Sequence, residues 1–249
     1  MSHIARLFVP EPLIAGQEIN LPQDQSRYLT RVMRLQTGAI VRVFNGQDGE
    51  WRCVLAGSPK SVALVPERQM RSQIEGPDLQ LLFAPIKKTR TDFIVEKATE
   101  LGVSAIQPVF TDYCQTQRVR IDRFESLVIE AAEQTERLDV PLIHEASALM
   151  KVLADWDPAR PLIFCDESAE AAPLSSFSHR INEKPAGVLI GPEGGFSSKE
   201  RETLRALEFV IPITLGPRIL RAETAVVSAL TLWQSQVGDW QKSPYLPES

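Results

Sequence analysis

Five apolar runs dominate the C-terminal two-thirds of the chain: Leu79 to Ala84, Ala105 to Phe110, Pro161 to Cys165, Ala186 to Ile190 and Phe209 to Leu215. They lack apolar–polar alternation and are separated mostly by segments of helical character. Predominantly apolar runs of this length belong to strands buried on both faces, and strands alternating with helices give a mainly parallel sheet. The pattern therefore assigns this region to the α/β class. The clearest helix runs from about Asp122 to Leu138, where Phe124, Leu127, Val128, Ala131, Ala132, Thr135 and Leu138 keep to one face. Asp122 and Glu125 fit a cap and its partner three residues on.

The N-terminal part follows another rule. Up to about residue 70 the chain reads as β-rich, with short apolar runs at Arg6 to Val9, Ala39 to Phe44, Trp51 to Leu55 and Ser61 to Val65. Asn45-Gly46 and Asp48-Gly49 are hairpin turn signals. One helix interrupts, from Gln23 to Leu35, with Tyr28, Leu29, Val32, Met33 and Leu35 on one face and Arg27, Arg31 and Arg34 on another. That basic stripe either grips phosphates or is a solvated face. The polar stretch Met70 to Pro77, with Gly76-Pro77, marks the boundary and gives domains of residues 1–72 and 77–249.

Composition narrows the chemistry. The net charge of -5 provides no global attraction to nucleic acid, so an RNA partner must be held by local basic patches. Cys53, Cys114 and Cys165 are odd in number, far apart and without Cys-x-x-Cys spacing, which argues for a reducing compartment and against a structural zinc site. His3, His144 and His179 form no metal-ligand spacing either, so no metal is expected. No apolar run approaches the ~18 residues that span a bilayer. The expectation is a cytoplasmic protein without membrane or metal partners.

Two segments carry chemical potential. Gly191-Pro192-Glu193-Gly194-Gly195-Phe196 follows a strand, and Ser197 with Glu200 makes a capping box for the next helix. The loop matches neither the dinucleotide fingerprint nor a P-loop, so those cofactors have no direct support, and a ligand-free tight turn is the plain alternative. Leu215 to Ala225 places Gly216-Pro217, then Arg218 and Arg221, ahead of Glu223 and a new helix. Cations before a helix N-terminus oppose its partial positive charge, a local rule broken without visible compensation. At the end of the first α/β strand, Lys87, Lys88 and Arg90 form a basic cluster on the edge where such sheets gather ligands.

Together these segments resemble the bacterial 16S ribosomal RNA uridine-N3 methyltransferases, members of the SPOUT class of trefoil-knot enzymes. The resemblance runs through Arg6-Leu-Phe-Val, Val32-Met-Arg-Leu with Gly38, Phe44-Asn-Gly and Glu96-Lys-Ala-Thr-Glu-Leu-Gly-Val. It continues in Ala132-Glu-Gln-Thr-Glu-Arg, Ile190-Gly-Pro-Glu-Gly-Gly-Phe and Leu215-Gly-Pro-Arg-Ile-Leu-Arg-Ala-Glu-Thr-Ala. It implies an N-terminal PUA-like barrel for RNA, a knotted methyltransferase domain, S-adenosylmethionine as cofactor, a homodimer, and 16S RNA, in the assembled small subunit, as substrate. The implied cofactor pocket comprises Ile190, Gly191, Gly195, Leu215, Gly216, Ile219 and Leu220. The apolar Ala225 to Trp233 helix fits burial in a knot and an interface. The sequence departs from the family pattern at Arg27-Tyr28, where histidine is frequent, at Thr111-Asp-Tyr-Cys, where arginine-serine is common, and at Ala222, where threonine is usual.

Methyl transfer to uracil N3 requires in-line positioning and loss of the N3 proton, with negative charge spreading over two ring carbonyls. Arg221 or Arg218 is the candidate to stabilise that anion, and Glu223 either accepts the proton or orients an arginine. A purely structural alternative has Glu223 serve the helix dipole and pair with Arg218. Two other functions are compatible with the sequence: ribose 2'-O-methylation within the same class, and a non-catalytic RNA-binding assembly protein that uses the basic clusters alone.

Overall fold

The computed structural model describes residues 4–58, 61–167, 171–177, 181 and 185–242, so His3 and His179 lie outside the described residues. The chain divides into two compact units, one reaching to Glu75 and including Ala132–Val140, the other formed by Gly76–Ala131 and Pro141–Ser243.

The first unit is a five-stranded sheet in the order β1-β3-β4-β5-β2. Its strands are β1 (Ala5–Phe8), β2 (Ile19–Asn20), β3 (Ile40–Phe44), β4 (Glu50–Ser58) and β5 (Ser61–Arg71). β1 runs parallel to β3, and the other pairings are antiparallel. The β3–β4 turn forms at the expected site, where Asn45 Oδ1 accepts from the backbone N–H groups of Gln47 and Asp48 at 2.9 and 2.8 Å. Leu7, Val9, Val41, Val43, Leu55 and Leu64 fill the core, and Leu29 closes it from the helical segment.

That helical segment differs from the sequence expectation. α1 covers only Gln23–Arg27 and passes into a π turn, Tyr28–Val32, in which the Met33 N–H donates to the Tyr28 carbonyl at 2.9 Å. A π turn holds an extra residue, so the apolar face slips out of phase. Leu29 is fully buried and Met33 and Leu35 pack partly against the core, but Val32 is 68% exposed and Tyr28 also faces solvent. Arg34 then takes a φ of 55°, which ends the helix short of Leu35.

Charge is buried in this unit. Glu50 is fully buried and accepts from Arg6 (2.6 Å), Arg42 (2.8 Å) and Arg71 (3.0 Å). Glu136 also pairs with Arg42 and, at 3.1 Å, with Arg71, while an Arg6 nitrogen donates to the Ala132 carbonyl at 2.6 Å. Burial alone would raise the Glu50 pKa, but the hydrogen bonds and charges of the three arginines outweigh it and hold the carboxyl below its usual range. Phe44, Ala132 and Leu138 form an adjoining apolar cluster. The 132–140 segment is thus fastened to this unit by both ion pairs and apolar burial.

The second unit is built on parallel strands β6 (Leu79–Phe83), β7 (Ala105–Phe110), β8 (Leu142–Ile143), β9 (Ser147–Ala148), β10 (Leu162–Cys165), β11 (Ala172–Pro173), β12 (Ala186–Ile190) and β13 (Val210–Thr214). The main path is β11-β13-β10-β12-β6-β7-β8, with β9 pairing β7. All five residues of β12 are buried, as unbroken apolar runs require. The helices are α2 (Lys88–Glu100), α3 (Ile121–Gln134), α4 (Leu149–Ala154), α5 (Ser198–Ala206) and α6 (Ala222–Gln236). α3 stops four residues before the expected Leu138, because the chain turns to a φ of 64° at Glu136. Asp122 is not its cap; it lies within the first turn and pairs with Arg120 at 2.6 Å.

From β6 the chain steps outward through β7 to β8, whereas β12, on the other side of β6, leads outward through β10 and β13. The two halves diverge between β6 and β12, and the carboxyl ends of strands at such a point are where open α/β sheets bind ligands.

Candidate active site

The glycine loop leaves β12 at that divergence. Gly191 has no Cβ because the Phe196 ring occupies the space: a Cβ there would lie 2.5 Å from Cε2. Phe196 is anchored in turn by an edge-on contact with Phe164 at 5.0 Å. The capping box predicted from the sequence is present, with Glu200 N–H donating to Ser197 Oγ at 3.2 Å and Ser197 N–H to Glu200 Oε2 at 2.8 Å. The other Glu200 oxygen accepts from the Asp112 N–H at 2.9 Å, which ties the loop's far end to the segment after β7.

The second wall comes from the chain between β13 and α6. Gly216 adopts a φ of +104°, open to glycine and strained for other residues, and its N–H donates to Thr214 Oγ1 at 3.2 Å. Between the two loops lies a cavity of about 210 Å³. Ile190, Gly191, Leu215, Gly216, Ile219 and Leu220, all predicted cofactor contacts, line it. Gly195 does not; its backbone abuts the Glu167 carboxylate, which does line the cavity. Apolar walls, two stretches of close-approaching backbone and a carboxylate at the rim suit an adenosine-like group, whose ring needs apolar cover and whose hydroxyls need acceptors. Ile219 stands 89% exposed at the lip, an apolar side chain with nothing yet to cover. Cys165 also lines the wall, but burial pushes its thiol up, and that of Cys53 to about 12, so neither is a thiolate nucleophile.

Arg218 lines the cavity, and Arg221 occupies the N-cap position of α6 without a side-chain capping bond. Both are exposed, and neither forms an ion pair among the described residues. Glu223, in the first turn of α6, does not pair with Arg218. Its Oε1 lies 3.5 Å from Arg90 Nε, and its Oε2 is buried without a hydrogen-bond partner among the described residues. Arg90 also pairs with Glu193 of the glycine loop. Arg90 is therefore committed to two carboxylates and does not stand free as a phosphate contact. Lys87 is exposed, and the Lys88 side chain lies outside the described residues. In the first unit Arg27, Arg31 and Arg34 are all exposed and unpaired among the described residues.

The sequence marks Tyr113 only as part of the departing Thr111–Cys114 segment, and it gives no signal for Arg118, Arg120 and Arg123. Tyr113, 53% exposed, lies against Gly194, where a Cβ would meet its side chain at 3.4 Å. The three arginines fall within the six-residue span 118–123, in the chain that follows β7 and opens α3. A larger, shallower cavity of about 350 Å³ lies beside the first halves of β6 and β7, with Gln80, Gln107, His144 and Arg160 in its wall. Two of its polar groups are already engaged, Gln107 with the Glu145 carbonyl and Arg160 with Asp78, and none of its lining residues belongs to the glycine loops, so it is not the candidate site.

Residues 74–234 match the RNA methyltransferase domain family and residues 21–67 match the RNA methyltransferase PUA domain. The ribosomal RNA small subunit methyltransferase E of Rickettsia conorii is 31% identical over 228 residues, covering 90% of this chain and 93% of its own. This chain belongs to that methyltransferase E family. The family member of Synechocystis is 32% identical and covers 90% of this chain and 75% of its own. Among solved structures, the methyltransferase E of Neisseria gonorrhoeae, bound to S-adenosylmethionine, matches with a TM-score of 0.86 and 28% identity, over 96% of this chain and 100% of that one. A methyltransferase of Legionella pneumophila, also with S-adenosylmethionine bound, matches with a TM-score of 0.87 and 26% identity, over 95% and 99%. Membership in the methyltransferase E family supplies the α/β and PUA-like architecture expected from the sequence. Among the described residues no helix is long and apolar enough to cross a membrane, and no cluster of His, Cys, Asp and Glu could hold a metal ion.

Proposed function

We propose that this protein methylates N3 of a uridine in 16S ribosomal RNA, using S-adenosylmethionine held between the glycine loop and the Leu215–Leu220 loop. The observation that carries this reading is the cavity bounded by both family motifs, with an unpaired arginine on its wall and a second at its rim. S-adenosylmethionine supplies an electrophilic methyl group on a sulfonium. The chain's own residues position the uracil and manage its charge.

Uracil N3 becomes a good nucleophile only when its proton leaves, and the charge then resides on the flanking carbonyls. Arg221 and Arg218, free of carboxylate partners, are available to those oxygens. Glu223 is not spent on orienting either arginine, and its unpartnered Oε2 is an open acceptor; we assign it as the proton acceptor. Arg90 faces the other oxygen of that carboxylate, with its Nε 3.5 Å from Oε1.

We assign residues 1–72 to an RNA-binding domain that uses Arg27, Arg31 and Arg34 on phosphates, with Lys87 and Lys88 contributing from the domain of residues 77–249. The functional state is a cytoplasmic homodimer acting on the assembled small subunit. Partial exposure of Leu232, within the mostly apolar Ala225–Trp233 stretch of α6, supports a further partner for that helix. Mass mapping of ribosomal RNA from cells lacking the protein, and from the same cells with it restored, tests this reading. One uridine should gain a methyl group on its base upon restoration. Identical maps would reject it.

A further inference from the structure

Beyond the cofactor cavity, the second unit carries a chain of concavities that share their walls. Pro192 lines both the cofactor cavity and a narrow cleft of about 30 Å³ walled by Tyr113, Lys87 and Glu193. Pro85, Ile86 and Thr116 line both that cleft and a third cavity of about 280 Å³. The track follows the carboxyl ends of the sheet from β12 across β6 to the start of α3.

The third cavity is built for a particular chemistry. Ile86, Val119 and Phe124 give it apolar walls, and Arg118, Arg120 and Arg123 surround them. The three arginines are not equivalent. Arg123 is locked by Asp92, with Nε 2.9 Å from each carboxylate oxygen and Nη2 2.6 Å from Oδ2, so its plane is fixed and its charge neutralised. A guanidinium in that state is a stacking surface for a planar base. Arg118 forms no ion pair among the described residues, and Arg120 shares an exposed pair with Asp122 that solvent screens. Those two are free to meet phosphate. An apolar-walled cavity with one fixed guanidinium plane and two exposed cations matches a nucleotide unit.

We infer that this cavity seats the nucleotide next to the methylated uridine: its base lies against Val119 and the Arg123 plane, and its phosphate is held by Arg118 and Arg120. The strand then crosses the narrow cleft beneath Tyr113, with the target base at the mouth of the cofactor cavity. Holding a flanking nucleotide is how an enzyme that extrudes a base selects its sequence context. The inference rests on the RNA methyltransferase reading given above, and it adds Arg118, Val119, Arg120 and Arg123, which the sequence did not single out, to the RNA surface.

Methyl-transfer kinetics on small-subunit RNA test it, together with S-adenosylmethionine affinity measured by calorimetry. Arg118→Ala/Arg120→Ala should raise KM for RNA about tenfold and flatten the salt dependence of binding by ~0.7 for each phosphate no longer neutralised, with kcat and cofactor affinity unchanged. Val119→Trp, which fills the slot without altering charge, should raise KM and leave the salt slope as it was. Unchanged KM in both variants, beside an active wild type, overturns the inference, as does micromolar saturable binding of free uridine monophosphate that Val119→Trp abolishes. A wild type that binds RNA but transfers no methyl group overturns instead the reading on which it rests.

Discussion

The Arg90 guanidinium lies 3.5 Å from one carboxylate oxygen of Glu223 and also pairs with Glu193, so one cation in α2 holds both the glycine loop and the first turn of the final helix. The second Glu223 oxygen is left buried without a partner among the described residues, and an N3–H donor from uracil would satisfy it. Glu223→Gln should therefore reduce kcat by ~10²- to 10⁴-fold, as expected for loss of a general base. The loss should shrink as pH rises and uracil N3 ionises unaided. A deficit that stays constant with pH would mean that Glu223 acts only by position.

Arg221 and Arg218 are separable, because only Arg218 lines the cavity between the two loops. Arg221→Ala should lower kcat by ~10²- to 10³-fold, the usual effect of removing a group aimed at developing charge, while S-adenosylmethionine affinity stays the same. Arg218→Ala should weaken cofactor binding as well. Steady-state kinetics with calorimetry on both variants would decide, and an Arg221→Ala enzyme with normal kcat would transfer the role to Arg218.

Gly191 is set so close to Phe196 that any larger residue displaces the ring or the loop. Gly191→Val should abolish measurable S-adenosylmethionine binding, while circular dichroism shows that the fold persists. Near-normal affinity would show that the cofactor does not depend on this wall.

Much of this arrangement was legible in the sequence, and the exceptions have physical causes. Buried parallel strands produce predominantly apolar runs, so β6, β7, β10, β12 and β13 stand within one or two residues of the runs that announce them. The capping box at Ser197 is local and equally visible. The Tyr28–Val32 π turn is not, because it shifts the helical phase and no residue type announces it. Nor could periodicity show that Ala132–Val140 belongs with the N-terminal strands, because that depends on Arg6, Arg42, Arg71, Glu50 and Glu136 meeting in three dimensions. In the site, the glycine turns are readable from residue type, but the commitment of Arg90 to two distant glutamates is not.

That buried charge cluster carries a pH prediction. Glu50 has a folded-state pKa below its unfolded value of about 4.3, so its stabilisation is fully present above that pH and is lost as pH falls through the folded value. Thermal melts should show the first unit weakening below about pH 4.3. Glu50→Ala, which removes the fully buried carboxylate that Arg6, Arg42 and Arg71 share and leaves them only the half-exposed Glu136, should cost about 3 to 5 kcal/mol at neutral pH and remove much of that acid sensitivity. A melting profile unaltered by the substitution would contradict this account of the cluster.

The most direct test of the central claim is to incubate the purified protein with isotopically labelled S-adenosylmethionine and small subunits from cells lacking it, digest the RNA to nucleosides, and weigh the labelled product. The account predicts 3-methyluridine from a single 16S position. Label found on a ribose 2'-oxygen, or absent from the RNA altogether, would contradict it.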